Sequence, residues 1–204
     1  MSNPVTGYWF AEASADGEVR LANDDGRLVR VGESLSVRPP IILCTHGLHA
    51  SRRILDALRY APGPVLAVVR LEGMLIEDAD KCAAETRTVL WMQDVSKILR
   101  VAACDFAERA LIREEAAGRP VDPRSWDAIQ VTRAWIRGDT TEGAWTAVRA
   151  AARAAAGDAA EDAANAAADA ANWGAAAWAA EPAWQEMHLL EMLHQAGMPA
   201  IPLP

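Results

Sequence analysis

Two stretches of this chain carry side chains whose types and spacing could do chemistry. The first is Cys44-Thr45-His46-Gly47-Leu48-His49-Ala50-Ser51, which gathers two imidazoles, a thiol and hydroxyls into one polar turn. Imidazole exchanges protons near neutral pH and a thiolate is a strong nucleophile, so the octet holds the material for acid–base or covalent chemistry. Gly47 lets the backbone approach a ligand closely. No carboxylate lies within the octet, so a triad would need a distant Asp or Glu. The competing expectation is that His49 packs beneath strands while Thr45 and Ser51 cap backbone groups. The second stretch is His188-x-x-Glu191-x-x-His194. Residues three apart are neighbours on a helix, so Glu191 can meet either histidine. Glu-x-x-His is half of the di-metal signature of four-helix bundles, and no second copy occurs, so a surface ion pair is expected and no metal.

The remaining chemistry-bearing residues are sparse. Cys44, Cys82 and Cys104 are an odd number without metal-type spacing, which argues against a disulfide scaffold and a zinc site and for reduced thiols in the cytoplasm. The sequence contains no P-loop, no Gly-x-Gly-x-x-Gly and no Gly-x-Ser-x-Gly.

The elements that must position these groups change character along the chain. From Tyr8 to Val37 short strands are broken by Asp16-Gly17 and Asp25-Gly26, which reads as an antiparallel meander ended by Pro39-Pro40. Ile41–Cys44 reads as a short buried strand, Ser51 as the cap of a helix through Ile54, Leu55 and Leu58, and Val65–Leu71 as a central strand. A strand over Thr86–Met92 completes the expected head, residues 1–93. Beyond it the apolar period becomes helical: Asp94 caps a helix ended by Gly118 and Pro120, Asp122-Pro123 opens another closed by Gly138, and Pro182 starts a last one. The expectation is an α+β chain, a small mainly antiparallel sheet with one helix, followed by an all-α helical region over 94–204.

Of 204 residues, Lys+Arg number 20 and Asp+Glu 28, a formal net charge of -8. That charge is segregated. After Arg153 come Asp158, Glu161, Asp162, Asp169, Glu181, Glu186 and Glu191 without one Lys or Arg. So acidic a chain is poorly suited to coating nucleic acid or an anionic membrane, and no run of about 20 large apolar residues suits a membrane span. Alanine fills more than half of residues 144–180, which favours helix but brings little area to bury. Trp145, Trp173, Trp178 and Trp184 would supply the packing area of an alanine hairpin, which would also let the tail pair as a homodimer. In the sharper expectation they are anchors for a partner, with Asp158, Glu161, Asp162 and Asp169 as an acidic rim facing a basic protein surface.

Three resemblances attach to these residues. Leu43-Cys44, Gly47-Leu48-His49-Ala50-Ser51, Ala57, Tyr60, the strand Val65–Leu71 with Gly73, Lys81 and Arg87-Thr88-Val89-Leu90 resemble an uncharacterised domain of bacteriophages and prophages, a relative of which is fused to the phage rIIB lysis-exclusion protein. Cys104, Ala107-Glu108, Leu111, Pro123-Arg124, Ala128-Ile129, Arg133-Ala134-Trp135 and Gly138 resemble helical immunity proteins of polymorphic toxin systems, over residues 101–172. The Gly47-Leu48-His49-Ala50 turn, the helix with Ala57 and Tyr60, and Leu71-Glu72-Gly73 are similar to the middle of an ADP-ribosyltransferase, with His49 where that pattern has Tyr. The first two imply a phage or mobile-element accessory protein that works by binding, and inhibiting, a host-defence or competitor protein. The third implies an NAD-dependent enzyme using His49 and an acid, Glu72, with Glu77 and Glu85 as the other choices.

Overall fold

The computed structural model describes residues 3–21, 26–144, 146–147 and 175–201, with backbone alone for 175–181. In chain order the elements are β1 (Val5–Ala11), β2 (Ser34–Ser36), β3 (Leu48–Ala50), α1 (Ile54–Arg59), β4 (Val65–Glu77), β5 (Cys82–Asp94), α2 (Ser96–Ala116), α3 (Pro123–Arg137) and α4 (Ala175–Gln195). The strands form one antiparallel sheet, so the fold is α+β. The chain divides into two compact units, Met1–Ser96 with Leu189–Pro204, and Lys97–His188.

The first unit is organised by a long hairpin. β4 and β5, 13 residues each, pair from Val65↔Asp94 to Glu77↔Cys82 around the turn at Asp78–Lys81, where the Asp78 N–H donates to the Lys81 carbonyl at 2.9 Å. Their β-branched and small residues suit a surface covered on both faces, and Leu66, Ala67, Val68, Val69, Leu71, Ala83, Ala84 and Val89 are all buried. β1 pairs with the far edge of β4, Val5↔Leu71 to Ala11↔Val65, not with the segment that follows it in sequence. The expected meander is reduced to isolated bridges, Ala13↔Val19 and Arg20↔Leu28, and the short β2 on β5. A two-residue turn signal fixes a hairpin only when the flanking runs have a face to bury; β1 finds a larger apolar partner in β4.

The sheet also joins its own beginning. β3 pairs with β5, Leu48↔Ala84 to Ala50↔Cys82, and Ser51 just beyond it exchanges two backbone hydrogen bonds with Tyr8 of β1, at 2.8 and 2.9 Å. Ser51 therefore serves a strand junction, and α1 is capped by Arg53 without a side-chain bond. Gly7 permits this junction: a Cβ there would stand 2.7 Å from the Ser51 carbonyl oxygen. Leu189, Leu193 and Met198 are buried within the same unit.

In the second unit, local signals set the helices. The Asp94 carboxylate accepts the Ser96 N–H at 2.7 Å ahead of α2. Asp122 accepts the Arg124 N–H at 2.9 Å ahead of Pro123, and Gly138 ends α3 at φ 84°. Arg124 holds the Asp122 carboxyl down to about 2 by direct hydrogen bonding. The Arg133 guanidinium of α3 bonds both Asp105 and Glu108 of α2, at 2.7 and 2.5 Å. α4 begins at Ala175 and carries Pro182 inside it, earlier than the proline-led start expected.

Replacing Gly7 with Ala forces the Ser51 carbonyl away from β1. The Gly7→Ala chain should lose about 1–3 kcal/mol of stability by urea unfolding, the usual cost of an added methyl without room; an unchanged midpoint contradicts this account of the junction.

Candidate ligand cleft

The octet of residues 44–51 folds as a tight turn running into β3. Ile42 and His46 exchange backbone bonds at 2.7 and 2.8 Å, which replaces the expected strand at Ile41–Cys44 with a loop that leaves Ile42 exposed. Cys44 sits at its tip with φ 64°, a left-handed conformation that costs a non-glycine residue and persists only where neighbours fix it. What fixes it is His49: the Cys44 N–H donates to His49 Nε2 at 3.0 Å. Gly47, at φ 142°, follows because a Cβ there would lie 2.9 Å from Ile41 Cγ2 and 3.2 Å from Ala83 Cβ.

Accepting from a backbone amide fixes the His49 tautomer, with the proton on Nδ1 and the ring neutral. Burial holds its pKa below the ordinary imidazole value, and the positive charges of Arg87 and Lys81 act in the same direction. With Nε2 committed, His49 is a structural acceptor and not a free base. His46, by contrast, is exposed and donates from Nε2 to the Arg38 carbonyl at 2.7 Å.

Beside His49 lies the feature that sequence reading passed over. Arg87, in the middle of β5 and paired in register with Leu71 and Leu35, is 2% exposed. Its Nη1 donates to the His49 carbonyl at 3.0 Å, and its guanidinium stacks 3.7 Å from the centroid of the Trp9 ring. Nε and Nη2 are buried and have no hydrogen-bond partner among the described residues. Desolvation pushes the group down to about 9. The strand pattern does not single it out, since Glu85 and Asp94 share β5 with it and Arg70 lies in the paired strand β4.

These residues line a cleft of about 1070 Å³ that includes Trp9, His46, Gly47, His49 and Arg87. Among the described residues its ionisable lining is Arg20, Arg27, Arg38 and Arg87 against one carboxylate, Glu12, besides the histidines, Cys44 and Tyr60. A second lobe of about 420 Å³ shares Trp9, Phe10, Cys44, His49 and Tyr60 with it and adds Lys81. There the Tyr60 hydroxyl donates to Asp80 at 2.6 Å, Lys81 Nζ reaches that hydroxyl at 3.4 Å, and hydrogen bonds to the Cys44 thiol and to Tyr60 raise the Lys81 pKa.

Other expected site residues lie elsewhere. Glu72 pairs with Arg70 at 3.1 Å and Glu77 with Arg52 at 2.7 Å, while Glu85 accepts the Met74 N–H; none of the three lines the cleft with His49. Trp184 stacks on His188 with 4.9 Å between centroids, meets Phe106 edge-on and lies under Arg109 at 4.2 Å, so its ring is already packed. His188 bonds Asp105 of α2 at 2.8 Å and not Glu191, and Asp105 is also held by Arg133; His194 bonds the Met198 carbonyl. Trp178 lies in α4, where only the backbone is described, and Trp145, Trp173, Asp158, Glu161, Asp162 and Asp169 lie outside the described residues. Among the described residues no cluster of three or more His, Cys, Asp or Glu could hold a metal, and no helix is long and apolar enough to cross a membrane.

Two outcomes follow from this geometry. The folded chain disfavours imidazolium at position 49, so between its lowered pKa and about 6.5 the unfolded chain binds more protons and stability rises with pH. The His49 contribution is therefore complete above about pH 6.5 and is lost as pH falls through the folded value. His49→Gln, which keeps an acceptor but cannot titrate, should flatten the loss of unfolding free energy between pH 7 and pH 5; an unaltered pH profile contradicts the assignment. Of the three thiols Cys44 is exposed, whereas burial pushes Cys82 up to about 11 and raises Cys104. Iodoacetamide on the native chain should alkylate Cys44 first by peptide mass spectrometry, and equal labelling of Cys82 would count against the buried environment described.

No family model, no curated protein and no solved structure matches the chain.

Proposed function

We propose that the first unit is a small-molecule-binding domain that holds a dinucleotide-sized ligand in the cleft beneath the Gly47–His49 turn, with NAD the first ligand to test. The observation that carries this reading is the two-lobed cleft itself. Its larger lobe, about 1070 Å³, matches the upper end of organic-ligand sites and the smaller, about 420 Å³, falls within their range, and aromatic walls from Trp9, Phe10 and Tyr60 join both lobes around convergent polar groups. The likeness of the turn to an ADP-ribosyltransferase supplies NAD as the candidate. Capture of the ligand fits the lining better than ADP-ribosyl transfer, since His49 Nε2 is occupied and, among the described residues, Glu12 is the only cleft carboxylate.

The second reading is a phage or mobile-element accessory protein whose acidic tail meets the basic surface of a protein partner. Its support is the segregation of charge after Arg153. Complementary charge of this kind chiefly speeds association. Deleting 154–204 is a poor test, because Leu189, Leu193 and Met198 are buried. Neutralising Asp158, Glu161, Asp162 and Asp169 to Asn or Gln leaves that packing alone and should slow capture of a basic partner.

NAD at millimolar concentration should raise the melting temperature of the full chain, as any ligand selective for the folded state does. Trp9→Leu should weaken that effect at least tenfold in ligand concentration. A melting temperature indifferent to NAD removes the dinucleotide reading.

A further inference from the structure

A fully buried guanidinium ordinarily comes with an anion, because removing the charge from water is repaid only by an opposite charge and complete hydrogen bonding. Arg87 has a π face and one carbonyl. Trp9 occupies one face of the guanidinium, which leaves its edges for hydrogen bonding. Of the nitrogens, Nη1 is spent on His49, while Nε and Nη2 are unsatisfied. Those two share one edge of the planar group, and their N–H bonds run parallel. That fork matches two oxygens of a carboxylate or phosphoryl group.

The surroundings match the same guest. Arg38 lines the cleft with Arg87, while Arg20, also in the lining, is paired with Glu18 at 2.7 Å and Asp16 at 3.4 Å. Clefts lined by one sign of charge concentrate counter-ions of the other. His49, held neutral by the Cys44 N–H, adds no competing acid.

We propose that Arg87 anchors an oxyanion receptor: a phosphoryl or carboxylate group of the cleft's ligand lies in the guanidinium plane and accepts from both Nε–H and Nη2–H. The inference rests on the ligand-binding reading and names the chemical class that the cleft takes. It extends beyond NAD to any compact organic anion with two oxygens on one centre.

The test uses the full chain at matched ionic strength, titrated calorimetrically with pyrophosphate and, separately, with succinate, in wild type, Arg87→Lys and Arg87→Met. Wild type should bind at least one of the two, and which one it binds separates a phosphoryl guest from a carboxylate guest. Arg87→Lys, a point charge without the fork, should bind at least tenfold more weakly, and Arg87→Met should not bind. Without anion, Arg87→Met should unfold at the same or a higher urea concentration than wild type, because a buried unpaired charge has gone. Failure of wild type to bind either anion overturns the proposal, as does Arg87→Lys binding like wild type, which also decides the matter should Arg87→Met fail to fold. NAD binding equally to wild type and Arg87→Met would leave the dinucleotide reading standing and remove this one. Arg87-dependent binding of pyrophosphate without NAD binding would do the reverse.

Discussion

A positive charge enclosed within a β-sheet is the constraint around which the first unit is arranged. The Arg87 guanidinium is cut off from solvent, and what compensates it comes from two other strands: β1 through the Trp9 ring and β3 through the His49 carbonyl. None of these contacts carries a negative charge. Burial of an ion without a counter-ion is among the more expensive things a fold can do, so the position is better explained by what it does when a ligand is present. Proteins sit only modestly above the stability they need, and unfavourable local arrangements of this kind concentrate at functional sites.

The strand geometry makes the arrangement possible. Tyr8 and Ser51 join β1 to the end of β3, with Gly7 giving the carbonyl room to approach. That junction sets Trp9 and His49, each a residue or two away, where both touch Arg87. The turn before β3 then carries a linked set of conditions. Cys44 takes a left-handed conformation because His49 Nε2 accepts its amide, and that acceptance requires a neutral ring. A neutral ring is also what the neighbouring guanidinium favours. Backbone strain, tautomer and electrostatics thus agree, and His49 offers no free base to the cleft, while Arg87 offers a cationic donor. The cleft is suited to holding an anion more than to moving a proton.

How much of this could be read from the residues depended on the range of the interactions. The caps were legible because they are local: Asp94, Asp122-Pro123 and Gly138 each act within a turn of their helix. The β-branched run at Val65–Leu71 was legible because its composition suits only a buried strand, though β4 continues to Glu77. The partner of β1 was not, since Asp16-Gly17 indicated a local hairpin and the winning pairing lies some sixty residues away, chosen by buried area. Ser51 looked like a helix cap because its bond to Tyr8 is equally remote. Arg87 was visible only as part of a resemblance; that it faces Trp9 and His49 depends on three strands meeting. The octet of residues 44–51 was legible as a polar turn, but between a strand and a helix; that Leu48–Ala50 joins the sheet as β3 depends on remote pairing with β5, and the role of His49 turned on one backbone amide.

The two units place different chemistry on one chain. In the helical unit, buried and part-buried charges are paired: Arg133 with Asp105 and Glu108, and Asp105 with His188. In the sheet unit the buried cation is left without a hydrogen-bond partner on one edge. That contrast is the central claim, and it can be observed at a single atom. In ¹⁵N-edited NMR of the arginine side chains, addition of pyrophosphate or succinate should shift the Arg87 Nε–H resonance, assigned by its absence in Arg87→Lys, and slow its exchange with water. A resonance that neither anion moves, while other cleft signals respond, would contradict the assignment of Arg87 as the group that receives the ligand.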